Sequence, residues 1–327
     1  MLVRVQRKVR HRRSGRAGAP IIDRVARHHH RLWNQLAGTT YQACVPVLNL
    51  TPGTARAGID PRGFLPPVRG KSVLCLACGG GQQSAHFGVL GARVTVADLS
   101  PKQLEQDHIA ARHYGYAIKT IVADMRDLSR LAPSSFDIVC QGFSIMFVPE
   151  IATVYRQVER VLKPGGFYMV IHGHAMGYEV EPGQWTPDGY PVKRRYLDTG
   201  PIRYADNGSA GKRLEAPPFL EYAHTYEQAI QGLFDAGLQL IGYRDIHTGD
   251  PGAAPGTKAH RADILPEYYE LWARKWSPSS GSVVTRLRSG STLSKGPRLT
   301  GARVEGLVRR VGRAVTSRRS TGRKRRA

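Results

Sequence analysis

The sequence predicts an α/β domain, a doubly wound and mostly parallel sheet with helices on both faces. Two observations carry that prediction. Short apolar runs, such as Val73 to Ala77, Val94 to Ala97 and Phe136 to Cys140, alternate with longer helix-like stretches. Such runs, bounded by turn residues, read as strands buried on both faces. The first run also passes straight into Gly79-Gly80-Gly81 and then into a helix-like stretch, Gln82 to Leu90. Glycines there let a ligand approach the main chain, and the free N–H groups of the helix start face whatever lies over them. A nucleoside-bearing cofactor is the object such a turn implies.

Taken in order, residues 1–20 are rich in Arg and Gly and read as a basic tail without a core-forming pattern. They carry no apolar secretory core. Residues 21–70 form an N-terminal lid and pocket segment. Within it Ile21 to Leu36 reads as an amphipathic helix, with Ile22, Val25, Ala26, His29, Leu32 and Trp33 near one face. Its His28-His29-His30 run is not a metal site, because consecutive helical positions point about 100° apart. Gly38 to Gly70 lacks periodicity and reads as a covering loop or a pocket wall.

Residues 71–174 hold the core. After the glycine turn comes the strand Arg93 to Ala97, ending in Asp98, 17 residues beyond Gly81. A carboxylate at that strand tip can accept both ribose hydroxyls. Ser100 and Pro101 then cap and open a helix. Ala117 to Ala123 is a third strand, delivering Asp124 and Met125. Phe136 to Cys140 is the fourth, Val148 to Leu162 an amphipathic helix, and Phe167 to His172 the fifth strand after the stop signal Lys163-Pro164-Gly165. Residues 175–222 read as an inserted β-rich cap, and 223–276 as a helix and closing strands that complete the core. Residues 277–327 form a second basic tail, with a short apolar pattern at Val304, Leu307, Val308, Val311 and Val315.

Composition narrows the class. Hydrophobic residues make up 41% of the 327, enough for a core, and no run of about 18 apolar residues marks a membrane span. The net charge of +23 sits mainly in the tails, with +7 in residues 1–20 and +13 in 281–327. The remainder, at +3, is close to neutral. Four scattered cysteines, three of them in or beside predicted strands, read as reduced thiols of a cytoplasmic protein.

The ordered set VLCLACGGG (73–81), VTVADLS (94–100), VADM (122–125), FDIV (136–139) and LKPGGF (162–167) resembles the class I S-adenosylmethionine-dependent methyltransferases. The resemblance implies a Rossmann-like seven-stranded sheet whose last strand is antiparallel. It also implies S-adenosyl-L-methionine as cofactor. The glycine turn would pass under the methionine part, Asp98 would hold the ribose, and Asp124 and Met125 would border adenine. Ala77, Gly79, Gly80, Gly81, Gln82, Gln83, Leu99 and Gln141 complete the expected cofactor-binding set. The helix near Ile22 would lie over the cofactor as a lid. One departure stands out: Cys75 occupies a position where the family usually has Asp or Glu.

The residues after the fourth strand, Gln141-Gly142-Phe143-Ser144, lack the Asp/Asn-Pro-Pro-aromatic motif of enzymes that methylate base amino groups. No cysteine follows a proline, as cytosine C5 chemistry requires. The favoured reading is transfer to an O or N atom of a small molecule. His172 and His174, at the end of the fifth strand, are the candidate general bases, because ligands in open α/β sheets lie beyond the strand carboxyl ends. Two alternatives use the basic tails to bind nucleic acid: an RNA methyltransferase, and a non-catalytic protein with a degenerate cofactor fold. A nicotinamide dehydrogenase would need a third Gly or Ala where Ser84 stands and would leave VADM, FDIV and LKPGG unexplained.

Overall fold

The chain enters its fold through a helix whose first turn is fixed by a side chain. In the computed structural model, which describes residues 23–178, 180, 183–204 and 216–277, Asp23 caps α1 (Arg24–Leu36) by accepting the Ala26 N–H at 2.8 Å. Both basic tails, apart from Ser277, lie outside the described residues, as do Ile21 and Ile22. Helix α1 buries Ala26, His29, Leu32 and Leu36, close to the stripe its periodicity predicts.

The segment 38–70, read as a loop, contains a helix, α2 (Pro52–Ile59). Its apolar face is only Ala55 and Ile59, too short a pattern to register as periodic. The legible signal was its start: Thr51 and Thr54 cap each other's backbone, and Pro52 takes the first helical position.

From there the core alternates as expected: β1 (Ser72–Leu76), α3 (Gln83–Val89), β2 (Arg93–Asp98), α4 (Pro101–Tyr114), β3 (Ile118–Val122), β4 (Phe136–Gln141), α5 (Ile151–Val161) and β5 (Leu162–Gly173). Side chains alternate across β1, so its two faces feed two cores. Leu74 and Leu76 join Val139, Tyr168, Val154 and Val158, beneath α5. Val73 and Cys75 join Val94, Ile138, Phe87 and Leu104, beneath α3 and α4. All four cysteines are buried free thiols.

The described part of residues 175–222 is largely irregular, with a two-stranded antiparallel ribbon, β6 (Ile202–Tyr204) and β7 (Phe219–Glu221). A turn of π-helix at Glu227–Gln231 leads into α6 (Gly232–Asp235), followed by β8 (Leu238–Ile246), α7 (Lys258–Ile264) and β9 (Tyr268–Lys275). The sheet order is β3-β2-β1-β4-β5-β9-β8. Strands β1 to β5 are parallel, and β9 runs antiparallel to both of its neighbours. Strand order reverses between β1 and β4, which opens a crevice beyond their carboxyl ends.

Candidate active site

A cavity of about 250 Å³ fills that crevice. Its floor is the turn after β1. Ala77 takes φ of +48°, a left-handed conformation that costs energy for a residue with a Cβ and is sustained by its setting. Gly80 and Gly81 have φ of +117° and +79°. A Cβ on Gly80 would lie 2.6 Å from the Ala43 carbonyl, and one on Gly81 2.8 Å from the Gln106 carbonyl, so glycine is required on both counts.

What holds this turn is a residue that motif reading missed. Asp107 of α4 is fully buried and accepts from Gly80 N at 3.2 Å, Gly81 N at 3.1 Å and Ser84 Oγ at 2.5 Å. Burial pushes its carboxyl up to about 7, with these donors and the nearby Asp98 acting as further influences. Cys75, at the position where an acid is usual, is buried below the turn. Burial raises its thiol well above the ordinary range, so it stays neutral. The acidic support comes from α4 instead. The available signal was spacing: Asp107 falls between Leu104 and Ala110 on the buried stripe of α4.

Asp98, at the tip of β2, accepts from Gly79 N and Ser100 N, each at 2.8 Å, and faces the cavity. Its burial raises its pKa, against the backbone N–H groups that favour the charged form. Beside it, Gln103 donates to the Trp33 carbonyl and to Cys44 Sγ, while its Oε1 is buried without a partner. At the other end, Asp124 is gripped by Arg126, whose Nε meets Oδ1 at 3.1 Å and whose terminal nitrogen meets Oδ2 at 2.7 Å. The same guanidinium reaches Asp23 at 2.8 Å and Glu150 at 3.2 Å. It thereby ties the start of α1 to the rim of the cavity.

Helix α1 roofs the cavity with Val25, Ala26, His29 and Trp33, and Phe143 and Phe147 stand at its β4 side. Of the predicted set, Ala77, Gly79, Gln82, Gln83, Asp98, Leu99, Asp124 and Met125 all line it. Gly80 and Gly81 lie behind the lining, where their amides meet Asp107. Gln82 turns its amide to the carbonyls of Gln42 and Val45, so it braces the covering loop. Gln141 points into the core: it accepts from Tyr168 Oη at 2.6 Å and sits against Ser144 Oγ and Met125 Sδ.

The two histidines read as bases are not brought to this cavity. His172 is 1% exposed, bonded to Tyr155 Oη at 2.8 Å and stacked on Tyr269. Burial and neighbouring His224 lower its pKa well below the ordinary value. His174 is half-buried against Tyr226 Oη, and burial lowers its pKa too. Alternation along β5 does place them on one side, but that side is filled by tyrosines of β9 and the segment before α6. The space beside Gly173 is taken by Tyr178. Among the described residues no cluster of His, Cys, Asp and Glu has the geometry to hold a metal ion.

The cavity suits a nucleoside with an amino-acid arm. Among the described residues, two buried acceptors without partners, Gln103 Oε1 and a nitrogen of His29, belong to residues of its wall.

Comparison with known proteins places the chain among methyltransferases. Residues 74–170 match the methyltransferase domain family. The chain is 35% identical over 195 residues to the uncharacterised methyltransferase YbaJ of Bacillus subtilis, covering 58% of this chain and 74% of that protein. It is 34% identical over 114 residues to a ubiquinone biosynthesis O-methyltransferase of Ralstonia nicotianae, covering 34% of this chain and 48%, about half, of that protein. In fold it is similar to an S-adenosylmethionine-dependent methyltransferase from Mesorhizobium loti. There the TM-score is 0.52 at 23% identity, over 68% of this chain and 99% of that one.

Proposed function

Because this chain belongs to the class I S-adenosyl-L-methionine-dependent methyltransferases, we propose that it methylates an oxygen or nitrogen of a flat, largely apolar small molecule. The observation that carries this reading is Phe143. It stands two residues past the β4 tip, lines the cavity and remains 48% exposed, with its ring edge-on to Tyr268 at 4.9 Å. An exposed aromatic ring at a cavity edge is a stacking surface for a planar acceptor. With Trp33 and Phe147 it makes the acceptor side of this small cavity aromatic, a poor fit for a folded RNA. The O-methyltransferases of ubiquinone biosynthesis among the relatives support an oxygen acceptor.

The bound cofactor supplies an electrophilic methyl on a sulfonium. The chain's contribution is alignment and the exclusion of water. The rigid turn at residues 77–81, braced by Asp107, fixes the floor, and Asp98 holds the ribose in place. Helix α1 closes the roof, and Phe143 sets the plane of the acceptor. His172 and His174 have no part in this reading.

The test is a transfer assay with methyl-labelled cofactor against phenols, catechols, small amines and total RNA. Label in a phenolic product, reduced by Phe143→Ala mainly through a raised KM, is the expected result. Label in RNA alone would overturn the reading.

A further inference from the structure

His29 is 4% exposed, lies midway along α1, and faces the cavity. Neither ring nitrogen makes a hydrogen bond of normal geometry. The backbone of Leu220 lies close enough to favour the charged form, but it is the smallest of several influences. Burial dominates and lowers the pKa to about 4. The ring is therefore neutral near pH 7, with one N–H donor and one bare acceptor nitrogen. Even if the Leu220 carbonyl took the N–H, the acceptor nitrogen would still lack a donor. Leaving such a group unpaired in a buried site is costly, so the site is complete only when something else supplies a donor.

Position selects the donor. Helix α1 starts beside Asp124, where Asp23 meets the Arg126 that grips it, and His29 lies six residues on, within reach of the charges of both Asp124 and Arg126. The family resemblance has Asp124 border the adenine there. Both of its oxygens are engaged by Arg126, and Oδ1 takes the Arg126 backbone N–H as well, at 2.8 Å. The other unpartnered acceptor, Gln103 Oε1, belongs to the opposite end: a Cβ built on Gly79 would meet Gln103 Cβ and Asp98 Oδ2 together. Asp124 Oδ2, with a single donor, keeps a lone pair, so among the described residues the imidazole is the acceptor on this side that has no donor at all.

We propose that His29 reads the exocyclic amine of the cofactor's adenine, accepting one of its hydrogens from the roof of the cavity. The proposal rests on the cofactor occupying this cavity. It makes α1 part of nucleoside recognition as well as a cover, and it predicts discrimination against a 6-oxo purine. With the ring N–H turned to the Leu220 carbonyl and the bare nitrogen to the cavity, such a purine would present a carbonyl oxygen to an acceptor, replacing an attraction by a repulsion.

The experiment is calorimetric binding of S-adenosyl-L-homocysteine and S-inosyl-L-homocysteine to the full chain, in wild type and in His29→Leu. Wild type should prefer the adenosyl ligand, and His29→Leu should shrink that preference at least fivefold. Its melting temperature without ligand should be equal or higher, since an unpaired buried imidazole is removed. Should His29→Leu fail to fold, His29→Phe packs on Phe147, lacks the acceptor and gives the same comparison. A preference unchanged in the variant, including equal weakening of both ligands, would overturn the assignment and leave amine reading to Asp124. Failure of the wild type to bind either ligand would overturn the cofactor reading itself, and this proposal with it.

Discussion

Asp107 has three donors and, among the described residues, no cation paired with it, an arrangement that sets burial against hydrogen bonding within one side chain. Burial prevails, and the carboxyl titrates near 7 in the folded protein against an ordinary 3.8. The folded state then holds a proton that the unfolded state has already lost between those values. Stability from this group is complete below about pH 4 and is lost as the pH rises through 7. Between about pH 5 and pH 8 the loss should be on the order of 2–3 kcal/mol. Asp107→Asn should remove that slope, and urea unfolding at the two pH values measures the difference. Equal slopes in both proteins would mean that the donors keep the carboxylate ionised throughout. At this scale the sequence was half legible. The glycines and the acids at strand tips announce themselves because they sit at fixed offsets from a strand. Asp107 reaches the turn from a separate helix, and only packing reveals which loop it meets.

At the scale of elements, α1 is held at both ends by polar contacts. Asn34 Oδ1 accepts from Ser100 Oγ at 2.7 Å near its end, and Asp23 meets Arg126 near its start. Asp23 also caps the helix, so Asp23→Ala removes a cap and an ion-pair partner together. The cap contributes about 1 kcal/mol, and the pair a few tenths because Asp23 is half exposed. Amide exchange over residues 24–36 should therefore speed up roughly fivefold to tenfold, with β1 to β5 unaffected. Unchanged exchange would show that apolar packing alone retains the roof. Helix α1 was legible because its apolar stripe spans three turns. Helices α2 and α7 were not, since each is one or two turns with two buried residues. The cap region, 175–222, was read as β-rich from its aromatic and Gly/Pro content. Its described part gains only the β6–β7 ribbon, since most of its aromatics pack from irregular chain.

Across the whole molecule, local patterns made the alternating strands and helices legible, while the seven-stranded sheet with its antiparallel last strand was implied by the family resemblance and not by any one pattern. The contents of the space beyond the sheet were harder to read. His172 and His174 end β5, a sound place to look for a base. Yet the two strands added at that edge bring Tyr269 against both, with Tyr243 stacked on Tyr269, a long-range contact no local window contains. The cavity histidine came instead from α1, across the top of the sheet. The central claim, that this crevice binds S-adenosyl-L-methionine with Asp98 on the ribose, has a direct test in titration calorimetry of S-adenosyl-L-homocysteine. Wild type should bind one ligand per chain. Asp98→Ala should bind at least tenfold more weakly while remaining folded, as expected from losing hydrogen bonds to a charged group that contribute about 1.5–3 kcal/mol. Equal affinity in a folded Asp98→Ala protein would contradict the account.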